Sequence, residues 1–166
     1  TQTIPSANAI GRVGEFLVMG DLDDIDSSDV PFRLRWSAFN NPGANWTTDI
    51  GLQSGAFDLD ARYGAVTGIS GGRFGLVFQE RAVTTFTPNG GPTVFTRDTF
   101  ERELGCIAPE SIVAVGERVY YLGADGFYET TGVAPRNISN GRLWQWFKGQ
   151  VGSDLMKFVQ GEVDFR

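Results

Sequence analysis

The chain has 166 residues, enough for one domain with a sizeable buried core. It contains no histidine, so most hydrolytic triads and most catalytic zinc sites, which need an imidazole as base or ligand, are closed to it acting alone. Twenty acidic residues against fourteen basic ones leave a net charge of −6, a poor match for a phosphate backbone, and sequence-specific nucleic-acid binding is not expected.

Aromatic residues make up 13% of the chain and glycine occurs 22 times, a pairing that suits many short strands joined by tight turns. The expectation is a single all-β domain over 1–166 with little helix. Residues 1–9 are polar, carry Pro5 and read as a loose lead-in. Residues 12–19 (RVGEFLVM) read as a strand, and the acidic run Asp21, Asp23, Asp24, Asp26 and Asp29 as a loop. After Pro31 the alternation is strict, with Phe32, Leu34 and Trp36 on one face and Arg33, Arg35 and Ser37 on the other. That is the period-2 signature of a half-buried antiparallel strand.

Residues 39–61 are turn-rich. Short strands are expected at 65–69, 74–78, 82–86, 93–97 and 112–115, with a long turn at 88–92. The clearest hairpin joins 119–122 to 127–130 through Gly123-Ala124-Asp125-Gly126, because Asp-Gly is a strong turn dipeptide. Ser139 and Ser153 could each cap a helical turn, over 142–147 and 154–159, and nothing longer than a turn or two is expected. The chain begins at Thr1 and ends in a strand-like stretch (EVDFR), which reads as a fragment of a larger protein.

Three places share one pattern of a turn glycine, a charged residue and an apolar strand: GEFLV from Gly14, GRFGL from Gly72 and GERVY from Gly116. The second and third lie about 44 residues apart, close to the length of a propeller blade. The first interval is longer, as if one blade carried an insertion. The spacing favours stacked antiparallel sheets in the manner of propeller blades, a partial propeller.

The remaining motifs favour structural readings. Gly68-Ile69-Ser70-Gly71-Gly72 matches a nucleophile elbow, but no histidine can serve as base and strands flank it on both sides. The acidic run supplies oxygens that Ca²⁺ would accept, yet Ile25 breaks the EF-hand spacing, and no metal or cofactor is expected. Self-repulsion among these carboxylates would leave the loop mobile unless a basic partner surface ordered it. Asp58 with Asp60, or Glu101 with Glu103, could form a glycosidase pair, but two residues apart on one strand face is a generic outcome of β alternation. Trp46, Trp144 and Trp146 could stack on sugars or anchor an interface, or else cover the end of a β-core. Two glycosylation sequons, at Asn45 and Asn137, stand without a visible secretory signal. Cys106 cannot form an internal disulfide and reads as a small buried hydrophobe. No stretch approaches the length of a membrane span.

The strings WSAFNNPGANW (36–46), GRFGLVFQERAV (72–83), GCIAPESIVAVGERVYYLGADGFY (105–128) and ISNGRLWQWF (138–147) occur in this order. They resemble the β-propeller region of tail nozzle or hub proteins of short-tailed bacteriophages and related prophages, over residues 33 to about 165. The resemblance implies a structural virion protein, assembled in the bacterial cytoplasm and placed at the tail. There, rings of identical subunits contact other tail proteins and enclose the channel for genome ejection. It implies no catalytic residues. A negative surface suits a conduit that must not hold DNA. The partner-facing candidates are the acidic run (Asp21, Asp23, Asp24, Asp26, Asp29) and Trp46. Two rival readings are a propeller that binds host-surface glycan through an accessible Trp46 and a polysaccharide-cleaving enzyme using carboxylates.

Overall fold

A computed structural model of the chain describes residues 4–43, 46–91 and 93–164, apart from the side chains of 100–102. Strand β1 (Ser6–Val13) turns into β2 (Phe16–Asp23), and β3 (Val30–Trp36) and β4 (Gly55–Asp58) follow. The second set is β5 (Val66–Ser70), β6 (Gly75–Gln79), β7 (Ala82–Pro88) and β8 (Phe95–Arg102). The third is β9 (Val113–Val115), β10 (Arg118–Gly123), β11 (Gly126–Thr130) and β12 (Arg136–Asn137). Each set forms one four-stranded antiparallel sheet whose strands lie side by side in chain order. One α-helix, α1 (Gly141–Val151), follows the third sheet.

The three glycine motifs occupy one structural position. Gly14 (φ +58°), Gly72 (φ +151°) and Gly116 (φ +62°) each form the turn between the first and second strands of a sheet. A side chain is strained at such φ values, so glycine is the residue the turn demands. The longer first interval is explained by the β3–β4 connection, 37–54, which folds on itself through the bridges Ala38↔Asn41 and Asp49↔Ser54.

The sheets stack through two apolar cores. Ala9, Val13, Phe16, Val18 and Leu34 of the first sheet meet Val66, Val77, Phe86 and Phe95 of the second. Within this core Phe86 and Phe95 stack at 4.0 Å, and Trp36 and Phe16 approach Phe95 edge-on at 5.2 and 5.0 Å. The backbones come close because Gly20 faces Val66: a Cβ there would stand 2.7 Å from Val66 Cγ1. Arg97 of β8 lies 3.1 Å above the Phe57 ring of β4, joining the outer strands of the two sheets.

Leu76, Phe78 and Val83 leave the opposite face of the second sheet to pack on Cys106, Val119, Tyr121 and Tyr128. Every residue of β6 is therefore buried. Beyond the third sheet, Leu122 and Ala108 pack on Trp144 of α1 and on Met156.

Several local expectations change. The strand expected over 12–19 is two strands, divided at the turn glycine Gly14. Ser6 to Ala9 belong to β1 rather than to a loose lead-in, and residues 1–3 lie outside the described residues. The turn-rich stretch 39–61 contains β4, which pairs with β3. Helix α1 runs eleven residues, capped by Asn140 rather than Ser139: the Asn140 side chain accepts from Leu143 N–H at 2.8 Å. Its length follows from the apolar spacing of Trp144, Phe147 and Val151, which packs on Leu122 and Phe127.

Candidate functional site

The densest polar arrangement lies where the acidic run meets β3. Successive residues of a strand point to opposite faces, so Arg33 and Arg35 share the face away from the first core. Val30 pairs with Leu22, which brings the 24–29 loop back across that face. There Arg35 donates from Nε to Asp24 Oδ1 at 2.5 Å and from Nη2 to Asp24 Oδ2 at 2.8 Å. Its Nη2 also reaches Asp26 Oδ2 at 2.8 Å, and its Nη1 donates to the Trp46 carbonyl at 2.8 Å. Arg33 holds Asp58 through two bonds of 2.5 and 3.0 Å, and adds bonds to Asp26 at 2.8 Å and Asp24 at 3.2 Å.

Burial separates the members. The side chains of Arg35 and Asp24 are 1% and 0% exposed, whereas that of Asp26 is 59% exposed. Burial pushes the Asp24 carboxyl up, but hydrogen bonds from Arg35, the Ile25 N–H and Arg33 outweigh it and hold the group below the usual aspartate range. Arg33 holds Asp58 below that range as well, and Asp58 in turn raises Arg33.

The acidic run is thus divided. Asp24 and Asp26 are ordered by arginines of their own chain, the basic surface that a partner had been expected to supply. Asp21 accepts from Asn8 Nδ2 at 2.9 Å, and with Asp23, Asp29 and Ser28 it lines a shallow polar groove of about 360 Å³. Asp21 and Asp23 lie on β2 rather than in the loop. Asp23 and Asp29 are solvent-exposed. Among the described residues no group of three or more His, Cys, Asp or Glu side chains is placed to hold a metal ion.

Trp46 is 2% exposed, so its ring offers no open stacking face. Its Nε1 donates to the Pro42 carbonyl at 3.0 Å while its own carbonyl receives Arg35. Its backbone thus closes one donor of the buried charged pair. Of the other aromatic candidates, Trp144 is buried beneath α1 and Trp146 is 63% exposed.

The Asp58 and Asp60 carboxylates are committed elsewhere. Asp58 belongs to the arginine network, and Asp60 caps the 3-10 turn Ala61–Tyr63 by accepting from Arg62 N–H. The Glu101 side chain and Asn45 lie outside the described residues. Asn137 accepts from the Ser139 hydroxyl at 2.7 Å. Ser70 closes β5 and Gly71 packs against the Arg12 backbone, so the GxSxG string is a strand-to-strand passage. Cys106 is fully buried and burial pushes its thiol up. No protein-family model matches the chain, and no curated protein sequence matches it.

Sequence reasoning missed Arg33, Arg35 and Asp58 as members of this arrangement. Two arginines on one strand face, close in sequence to an unbalanced acidic run, were the available signal. The arrangement fastens a loop and covers a sheet face. Its two buried charged groups, Arg35 and Asp24, are paired with each other.

Proposed function

We propose that this chain is a propeller-type segment of a tail nozzle or hub protein of a short-tailed bacteriophage or prophage, acting without catalysis through protein–protein interfaces in tail assembly and genome delivery. One observation carries the reading: three four-stranded sheets follow one another, each with the same glycine turn between its first and second strands. Serial antiparallel sheets of that kind are the units that radial blades require. The quoted strings support it from a second side. Residues 72–83 span the β5–β6 turn through the start of β7, and 105–128 run from the passage between sheets into β11. Two of the four strings therefore fall on strands of the second and third sheets.

The glycan alternative relied on Trp46 as an accessible ring, and its burial removes that support. The enzyme alternative relied on carboxylate pairs, and Asp58 and Asp60 are both engaged with arginines. The test is to label virions with an antibody raised against this chain and image them. Decoration at the tail tip is the expected result, and particles that stay bare would refute the assignment.

A further inference from the structure

We propose that the cleft between the outer strands of the first and second sheets binds a small aromatic carboxylate, with its ring among Trp36, Phe57 and Ile50 and its carboxylate on Arg97. The inference is independent of the tail assignment.

Strands β4 and β8 are outer strands of their sheets. Between them lies a cleft of about 260 Å³ lined by Trp36, Ile50, Phe57, Phe86, Phe95 and Arg97. Phe86 and Phe95 are buried and form its floor, whereas Trp36 and Phe57 are half-buried and keep surface open to it. A Cβ on Gly55 would stand 2.7 Å from the Trp36 ring, so glycine at this position lets the ring lie against β4. Trp36 Nε1 donates to the Gln53 carbonyl at 2.8 Å, and Gln53 holds a φ of +60°, in the left-handed region. The ring is thus oriented by a strained loop residue, the kind of backbone outlier that clusters at ligand sites.

Two groups at the mouth lack what a ligand would supply. The first is Arg97. Its guanidinium lies 3.1 Å above the Phe57 ring, which occupies one face and leaves the N–H edges for hydrogen bonds. Although the chain has twenty acidic residues, Arg97 forms no ion pair or hydrogen bond among the described residues. Burial pulls the group below its ordinary value, and no neighbouring acid opposes that. The second is Ile50, which is 83% exposed. Asp49 Oδ1 accepts from the Gly51 and Leu52 N–H groups at 2.8 and 3.1 Å, which fixes the turn that carries Ile50 to the mouth.

The chemistry of the guest follows from these parts. A guanidinium edge pairs with a carboxylate or a phosphate through parallel N–H···O bonds. A single cation in a chain of net charge −6 suits a single negative charge, which favours the carboxylate. The half-buried aromatic faces call for a flat apolar body. At about 260 Å³ the cleft lies just below the range of ligand pockets, which begins near about 300 Å³, so that body is one ring or a fused pair.

The test titrates indoleacetate into the full 166-residue chain and follows the protein by NMR. Saturable binding with a roughly millimolar Kd is expected, with shifts at the Trp36 indole N–H and the Ile50 methyl groups. The neutral analogue indoleacetamide is expected to bind several-fold more weakly. Arg97→Gln is expected to weaken indoleacetate roughly fivefold and to leave indoleacetamide unchanged. Ile50→Ser, an exposed substitution, is expected to weaken both. The same ring and carboxylate end a peptide whose last residue is tryptophan. Tighter binding of such a peptide than of indoleacetate would assign the site to a protein C-terminus, and the reverse to a free small acid. Absence of saturation, shifts confined to other parts of the chain, equal affinity for acid and amide, or an equal effect of Arg97→Gln on both would overturn the proposal.

Discussion

Arg35 and Asp24 face each other through two hydrogen bonds, at 2.5 and 2.8 Å, with both side chains shut off from solvent. Desolvating two charges costs several kcal/mol per ion, so such a pair persists only when the remaining donors and acceptors are also met. Here the Trp46 carbonyl, the Ile25 N–H and Arg33 meet them. The 24–29 loop and the 37–54 connection are therefore fastened to the first sheet at one point.

Replacing Arg35 with Met is expected to destabilise the protein by about 3 kcal/mol or more, because Asp24 keeps its charge in a buried place. Urea denaturation at neutral pH measures this. Adding Asp24→Leu is expected to recover much of the loss, since removing both charges removes the uncompensated one. A loss below about 1 kcal/mol for the single variant would mean that the pair is solvated in solution.

The pH dependence has a definite sign. Asp24 and Asp58 have folded-state values below those of the unfolded chain. Their contribution is complete above the unfolded aspartate value, about 3.9, and drains away as pH falls through the lower folded values. Urea midpoints are expected to drop between about pH 5 and pH 3, and the drop should shrink when Asp24 and Asp58 are both changed to Asn. A profile that is equally steep in the double variant would assign acid sensitivity to other carboxylates.

The net charge of −6 sets a third expectation. In low salt, where charge effects are least screened, the protein should retain no DNA in a filter or mobility-shift assay. Tight retention that weakens steeply with added salt would contradict the inert-conduit reading.

Much of the fold was legible because glycine turns are chemically specific. Gly14, Gly72 and Gly116 marked the right places, and the hairpin of β10 and β11 formed where expected, although its turn is Ala124–Asp125 and Gly126 already pairs with Gly123. Strand β4 was not legible: Gly55, Ala56 and Asp58 carry no strand preference, and only pairing with β3 makes the segment extended. The acidic run misled because local repulsion is visible in sequence, whereas its cancellation depends on a strand folding back beside it. Arg33 and Arg35 looked like the wet side of β3, yet Arg35 is as dry as the apolar core. Trp46 was ambiguous for the same reason: a ring in a polar loop reads as surface until its neighbours are placed.

Strand β6 has consequences for how the molecule comes apart. It is the common wall of both apolar compartments, with Val77 turned to one and Leu76 and Phe78 to the other. Solvent entering either compartment strips half the support from that wall and so loosens the other. Sheets strung in series could in principle peel away one at a time. A shared wall ties their fates together, so melting should run as one concerted event with β6 amides among the last to exchange.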